Sequence, residues 1–311
     1  MPPAQTHNAA PFSPLGAWRQ QARTTPWLSA GLGLSLLAII ALLLASIWNA
    51  LNGDHADHLP LATLGGLSGF AATAPSAVLA VVLRDVSARS QDEMRGFAAG
   101  MMLAASSFSL ILPGLDAARE ITGNGPAAAF TVVLGMGLGV LLMLGLDRFT
   151  PHEHESTGPC GPESERINRV WLFVLAITLH NLPEGMAIGV SFANGDMNIG
   201  LPLTSAIAIQ DIPEGLAVAL ALRATGLSNM KAALVAVGSG LMEPLGAVIG
   251  LGISTGFALA PISMGLAAGA MIFVVSHEVI PETHRNGHQT AATLGLMGGF
   301  GVMMFLDTAL G

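Results

Sequence analysis

A chain of 311 residues that is 52% hydrophobic and only 10% charged, with a mean hydropathy of +0.62, has too little polar surface to clothe a soluble fold. Its net charge of −8 comes with no basic patch, which argues against nucleic acid as a partner. The one lysine, Lys231, is not followed by Ser or Thr and has no glycine before it, so no phosphate-binding loop is present and a nucleotide-driven pump within this chain is excluded. No dinucleotide fingerprint appears either, and no organic cofactor is expected.

Residues 1–24 read as a polar N-terminal tail on the cytoplasmic side. The first apolar run, 27–48, is bracketed by Trp27 and Trp48, is longer than the core of a secretory signal, and is followed by Asn49, Leu51, Asn52 and Asp54 in place of a small-residue cleavage site. Residues 25–58 are therefore expected to form an extra N-terminal membrane span and an outer loop. Further apolar runs follow at 60–83, 96–115, 126–149, 168–192, 201–223, 229–253, 257–280 and 291–310. Each is near the ~20 residues that a helix needs to cross the hydrocarbon core. They make 59–311 an eight-helix domain, interrupted by a flexible cytoplasmic loop at 147–169. Membrane-spanning strands would instead alternate over ~10-residue segments. The fold class is all-α, a polytopic membrane bundle.

With the N-terminus cytoplasmic, these spans leave eleven of the twelve Lys and Arg residues on the inner side and Arg119 alone on the outer. That asymmetry orients the chain, with its C-terminus on the periplasmic side. Cys160, the single cysteine, falls in the inner loop, so no intramolecular disulfide is possible.

Polar residues inside the spans carry the functional reading, because an ionisable group at mid-membrane is costly unless it faces a cavity and finds partners. The fifth run contains His180-Asn181-Leu182-Pro183-Glu184-Gly185 and the sixth Gln210-Asp211-Ile212-Pro213-Glu214-Gly215, the same chemical pattern on consecutive antiparallel spans. At helical pitch Glu184 lies about 40° from His180 on one side and about 60° from Asn181 on the other. Glu214 stands likewise between Gln210 and Asp211. Each helix therefore presents a fan of three ligands with a carboxylate at its centre. Two opposed fans could hold one metal between His180 and Gln210 and a second between Asn181 and Asp211, bridged by the glutamates. Pro183 and Pro213 would free the carbonyls of Leu179 and Ile209, and Pro244, directly after Glu243 in the seventh run, that of Gly240.

Four carboxylates and a histidine at one depth cannot all stay charged without a cation or protons among them. A hydrogen-bond network that only locks helices would suit a single Asn or Gln, not this set. Imidazole with carboxylate and amide oxygen, and no thiolate, suits Zn²⁺ and also admits Cd²⁺, Fe²⁺, Mn²⁺ or Co²⁺. The expected activity is membrane transport of a divalent metal, which is substrate and not cofactor. An intramembrane zinc metalloenzyme is the first competitor, but His277-Glu278 is followed by Val279, Ile280 and Pro281, so the second histidine of such a site is missing. The second competitor is a proton- or sodium-coupled solute carrier.

The motif at 180–185 resembles the signature of the ZIP family of zinc and iron transporters, in its bacterial branch, and the likeness extends over about 60–311. The resemblance implies a binuclear site, a homodimer, and an elevator-like movement by alternating access. It also brings in Met102 as a soft ligand; on residue type alone Met102 is equally a core filler. Two features depart from the family: Gln210 stands where many relatives place a second histidine, and the span at 27–48 lies outside the eight-helix plan. Bacterial kinship, together with abundant Arg, Ala and Gly, points to an inner (plasma) membrane.

Polar steps should flank the site. Toward the outer face His55, Asp57, His58 and Asp116, with Ser106 and Ser109 below them, could form an access funnel or be solvated loop residues. Toward the inner face His277, Glu278, Glu282, His284 and His288 could form an exit or auxiliary metal site. His152 and His154, in the 147–169 loop, could bind released metal or belong to a plain linker. Closely spaced glycines, among them Gly96, Gly100, Gly135, Gly137, Gly139, Gly246, Gly250, Gly265 and Gly269, should let helices approach closely where lipid provides no hydrophobic drive.

Overall fold

Apolar segments in lipid must satisfy their backbone internally, and this chain does so almost wholly with helices. The computed structural model describes residues 14–52, 58–83, 86–150, 152–154, 158–160, 169–193, 195–224, 226–254 and 259–310. Within the expected tail lies a short helix, α1 (Pro14–Thr24). Nine helical columns follow. They are α2 (Pro26–Asn52), α3 (Leu59–Val82), α4 (Ala88–Ala105) continuing into α5 (Leu112–Thr122), α6 (Gly125–Phe149), α7 (Arg169–Ser191), α8 (Met197–Ala224), α9 (Asn229–Ser239) with α10 (Met242–Ser254), α11 (Ala260–Val274) with α12 (Ile280–Thr283), and α13 (Gln289–Leu310). Among the described residues, 8 helices are long and apolar enough to cross a membrane.

Local chemistry sets the ends. Ser87 caps α4 by accepting from the amide of Ser90 at 3.1 Å, and Gly123, at φ 63, closes α5 in the left-handed region. In the loop between α6 and α7 His152–His154 (β1) pairs antiparallel with Gly158–Cys160 (β2), so part of the segment expected to be flexible has backbone pairing.

Two columns contain a π-turn, Ser106–Ile111 between α4 and α5 and Val275–Val279 between α11 and α12. Pro113 and Pro281 each follow after one intervening residue, Leu112 and Ile280. Each proline lacks an N–H and crowds the carbonyl four residues back, of Ser109 and His277 respectively, and widening the turn by one residue relieves that crowding.

The most extensive helix contacts are α4 with α13, α7 with α10, α6 with α11, and α3 with α8. Backbone-to-backbone approach at glycine makes three of these pairs. A Cβ added at Gly96 or Gly100 would overlap the carbonyls of Ala292 and Leu296, and one at Gly295 or Gly299 those of Glu93 and Phe97. Gly185, Gly189, Gly246 and Gly250 interlock α7 with α10 in the same reciprocal way, and Gly135, Gly139, Gly265 and Gly269 join α6 to α11. Gly137 differs: nothing lies within 4 Å of the Cβ it lacks. Gly100→Ala is expected to cost about 1–3 kcal/mol, the usual size of an overpacking defect. A parental thermal midpoint for that variant in detergent would show that the approach of α4 to α13 contributes nothing.

The fourth pair is clamped by charge, since Arg223 near the end of α8 donates to the carbonyls of Ala80 and Leu83, each at 2.8 Å, at the end of α3. The extra span, α2, docks on α6, where Ser35 Oγ lies 3.0 Å from the carbonyl of Leu138, and on α10, where Leu43 packs against Gly252.

Candidate metal site

The polar motifs sit at the middle of their helices. His180 is eleven residues from either end of α7, and Gln210 and Asp211 are the central pair of α8. Glu243 reaches the same region by another device. The expected freeing of the Gly240 carbonyl does not occur, because that carbonyl accepts the Glu243 amide at 3.2 Å in a tight turn. The helix breaks between Ser239 and Met242 instead, which puts Glu243 in the first turn of α10, at its positive end.

Asn181, Glu184, Gln210, Asp211 and Glu243 are buried. The side chains of His180 and Glu214 are 11% and 18% exposed, so these two form the accessible rim. His180 Nε2 lies 3.4 Å from Glu214 Oε1, and Gln210 Nε2 donates to Glu184 Oε1. Ligand atoms of His180, Glu184 and Glu214 all fall within 4.8 Å of one another, and among the described residues this is the one such group of three. Beside it lie Asp211 and Glu243, backed by α3: Thr73 Oγ1 donates to Glu243 Oε1 at 3.3 Å, and Ser76 Oγ is 3.4 Å from the Asp211 carbonyl. Gly69 completes that wall, since a Cβ there would overlap the Glu243 carboxylate and come within 3.0 Å of Asp211 Oδ2.

What the arrangement can do follows from its unmet acceptors. Asn181 Oδ1, Glu184 Oε2, Gln210 Oε1, Asp211 Oδ2 and Glu243 Oε2 are buried and meet no hydrogen-bond donor among the described residues. A buried acceptor left alone costs about 1–3 kcal/mol, more if charged. Five in one place, lined by carboxylates and one imidazole, make a cage of acceptors suited to divalent cations. The predicted fans are thus brought together, with His180 against Glu214 and Glu184 against Gln210. Gly69, Thr73 and Ser76 were missed by the sequence reading. Their i, i+4, i+7 spacing marks one small, polar face of α3, and that periodicity is the signal that could have found them.

The flanking residues do not form one continuous path. Met102 is buried in the main apolar cluster with Met186, Ile207 and Met271. Ser106 Oγ donates to the carbonyl of Met102 at 2.8 Å, while Ser109 Oγ donates to Asp307 Oδ1 on α13 at 2.7 Å, a partner the sequence reading did not name. Asp116 pairs with Arg119 at 2.8 Å and lines a cavity of about 480 Å³ with Glu120, Ser191 and Asp196. His58 borders Gly195 at that end, and His55 and Asp57 lie outside the described residues.

At the opposite end the expected auxiliary group is dispersed. His288 Nδ1 is 2.8 Å from the buried Asp92, and His284 Nδ1 is 2.9 Å from the Ile280 carbonyl of its own helix. Glu282 pairs with Arg285 at 3.3 Å and Arg95 at 3.7 Å. His277 stacks on Phe273 and lies 3.8 Å from Asp147, and Glu278 is among the charges that act on Glu214. The side chains of His152 and His154 lie outside the described residues.

Comparison with known proteins adds the decisive observation. The family model described as ZIP Zinc transporter matches residues 149–307, which span α7, α8 and α10. The chain belongs to the ZIP family. It is 72% identical over 297 residues to the Zinc transporter ZIPB of Bordetella bronchiseptica, covering 95% of this chain and 96% of that protein. To the Zinc transporter GufA of Myxococcus xanthus it is 44% identical over 236 residues, covering 76% and 93%. To the Zinc transporter ZIP11 of Homo sapiens it is 32% identical, again over 76% and 93% of the two chains. These ZIP relatives are named as transporters, and the intramembrane metalloenzyme alternative is set aside.

Proposed function

We propose that this ZIP chain carries divalent metal ions, zinc foremost and cadmium, iron or manganese with it, across the bacterial inner membrane into the cytoplasm through the cage on α7, α8 and α10. The observation that carries this reading is the set of five donorless buried oxygens beside the His180, Glu184 and Glu214 group. Two adjoining metal positions fit the ligands. His180, Glu184, Gln210 and Glu214 would hold the first, and Asn181, Asp211 and Glu243 the second, with Glu184 between them. Each ligand atom stands in for a water that the ion sheds, and soft imidazole against hard carboxylate favours zinc over magnesium or calcium.

All seven ligands belong to three helices, of which α7 contacts both α8 and α10, while α3 contacts all three. A group so joined can travel past α4, α6, α11 and α13 without its ligands separating, which supports an elevator-like alternation of access. The cavity lined by Asp116, Glu120 and Asp196 would gather cations at the outer end, with the N-terminus at the inner. Pairing into a homodimer is expected from the family.

The test is a flux assay on purified protein in proteoliposomes with Zn²⁺, Cd²⁺, Fe²⁺ and Mn²⁺ supplied in turn and internal pH recorded. Zinc and cadmium should be taken up faster than manganese. Uptake of none of the four, by protein whose folding is verified by circular dichroism, would overturn the reading.

A further inference from the structure

A groove of about 390 Å³ runs along the outside of the bundle between α4 and α13. Ser90, Glu93, Met94, Phe97, Leu294 and Gly298 line it. A Cβ at Gly298 would meet only Phe97 Cδ2, at 3.9 Å, so the missing side chain is what keeps the groove open. The first two turns of α4 precede the long apolar stretch that begins at Gly96, which sets Glu93 at headgroup level and Phe97 and Gly298 at the level of the upper acyl chains.

Glu93, which lines the groove, and Arg89, one turn before it on α4, are unspent charges. Arg89 and Glu93 are both exposed, one helical turn apart on the same face, and neither has a hydrogen bond or ion pair among the described residues. A cation and an anion held side by side above an apolar trough complement a zwitterionic headgroup whose phosphate and ammonium are separated by two carbons.

We infer that this groove binds a phospholipid bearing a primary amine, its acyl chain along Phe97 and Leu294, its phosphate on Arg89 and its ammonium donating to Glu93. A primary ammonium offers three donors to the carboxylate, a choline headgroup offers none, and a glycerol headgroup offers no positive charge.

The full-length protein would be reconstituted in vesicles containing equal parts of phosphatidylethanolamine, phosphatidylcholine and phosphatidylglycerol, released in mild detergent, and its retained lipid measured by native mass spectrometry. The expected result is preferential retention of phosphatidylethanolamine. That preference should fall up to about fivefold in Glu93→Gln, the scale of one exposed charge-assisted contact. Retention of any lipid should fall in Gly298→Leu, and Glu93→Gln, a surface change, keeps the test valid if that second variant does not fold. Equal retention of the ethanolamine and choline lipids, or preference for the glycerol lipid, would overturn the assignment. So would efficient disulfide formation between two copies of a Leu294→Cys variant, which would make a second chain the occupant.

Discussion

Glu184→Ala is expected to reduce zinc flux into proteoliposomes by at least about 100-fold, on the scale of losing one member of a buried charged set. Glu184 is fully buried, accepts from Gln210 through one oxygen, and holds its other oxygen free of any donor beside His180 and Glu214. The apo protein should be no less stable than the parent. Glu214 and Glu243 are the charged neighbours of Glu184, and removing one of several crowded carboxylates relieves their repulsion when no cation is present. The distinguishing measurement is thermal unfolding with and without zinc. A ligand that binds only the folded state raises the midpoint of the parent, and this rise should vanish in the variant. Glu184→Gln, which preserves volume, serves as control for the cavity left by alanine. Parental flux and a parental zinc-induced shift in both variants would remove Glu184 from the site.

Gly69→Ala should lower flux about tenfold, the equivalent of an overpacking strain of 1–3 kcal/mol, and should cost one bound metal in two. The added methyl would collide with the Glu243 carboxylate and press on Asp211 while leaving His180 and Glu214, on the other side of the cage, untouched. Metal per chain, measured by equilibrium dialysis, is the readout. If the parent binds one zinc and the variant also binds one, the division into two positions is wrong. If both bind two, α3 does not form a wall of the site.

Those two residues differ in how far they could be read in advance. Glu184 was legible because its two neighbours at four and three residues' distance, and the matching triplet on the next span, leave few other uses for such groups in lipid. The columns were legible for the same reason, since an apolar run of fixed length in a bilayer has few folds open to it. Gly69 was not legible as part of the site, because a glycine in an apolar span serves packing as readily as it makes room for a carboxylate, and only the approach of α10 decides between the two. Glu243 was legible as a ligand candidate but not in its setting: Pro244 suggested a freed carbonyl, whereas the chain resolved the same conflict by ending one helix and beginning another. For the flanking histidines it was the partners that could not be read in advance. Side-chain type gave His284 and His288 the look of ligands, while their partners, a carbonyl of the same helix and Asp92 nearly two hundred residues away, depend on tertiary contact.

The π-turn at Ser106–Ile111 has a consequence for how one span can serve two neighbours. Inserting a single residue turns every later side chain back by about 100° relative to an uninterrupted α-helix. Gly100 and Gly114, fourteen positions apart, would otherwise look out within about 40° of each other. With the insertion, Gly100 abuts Leu296 on α13, whereas Gly114 meets Met264 on α11 and Val132 on α6. The lower half of the column thereby packs foremost on α13 and its upper half on α6 and α11, and deleting one residue between 106 and 111 would turn the upper half back toward the α13 side.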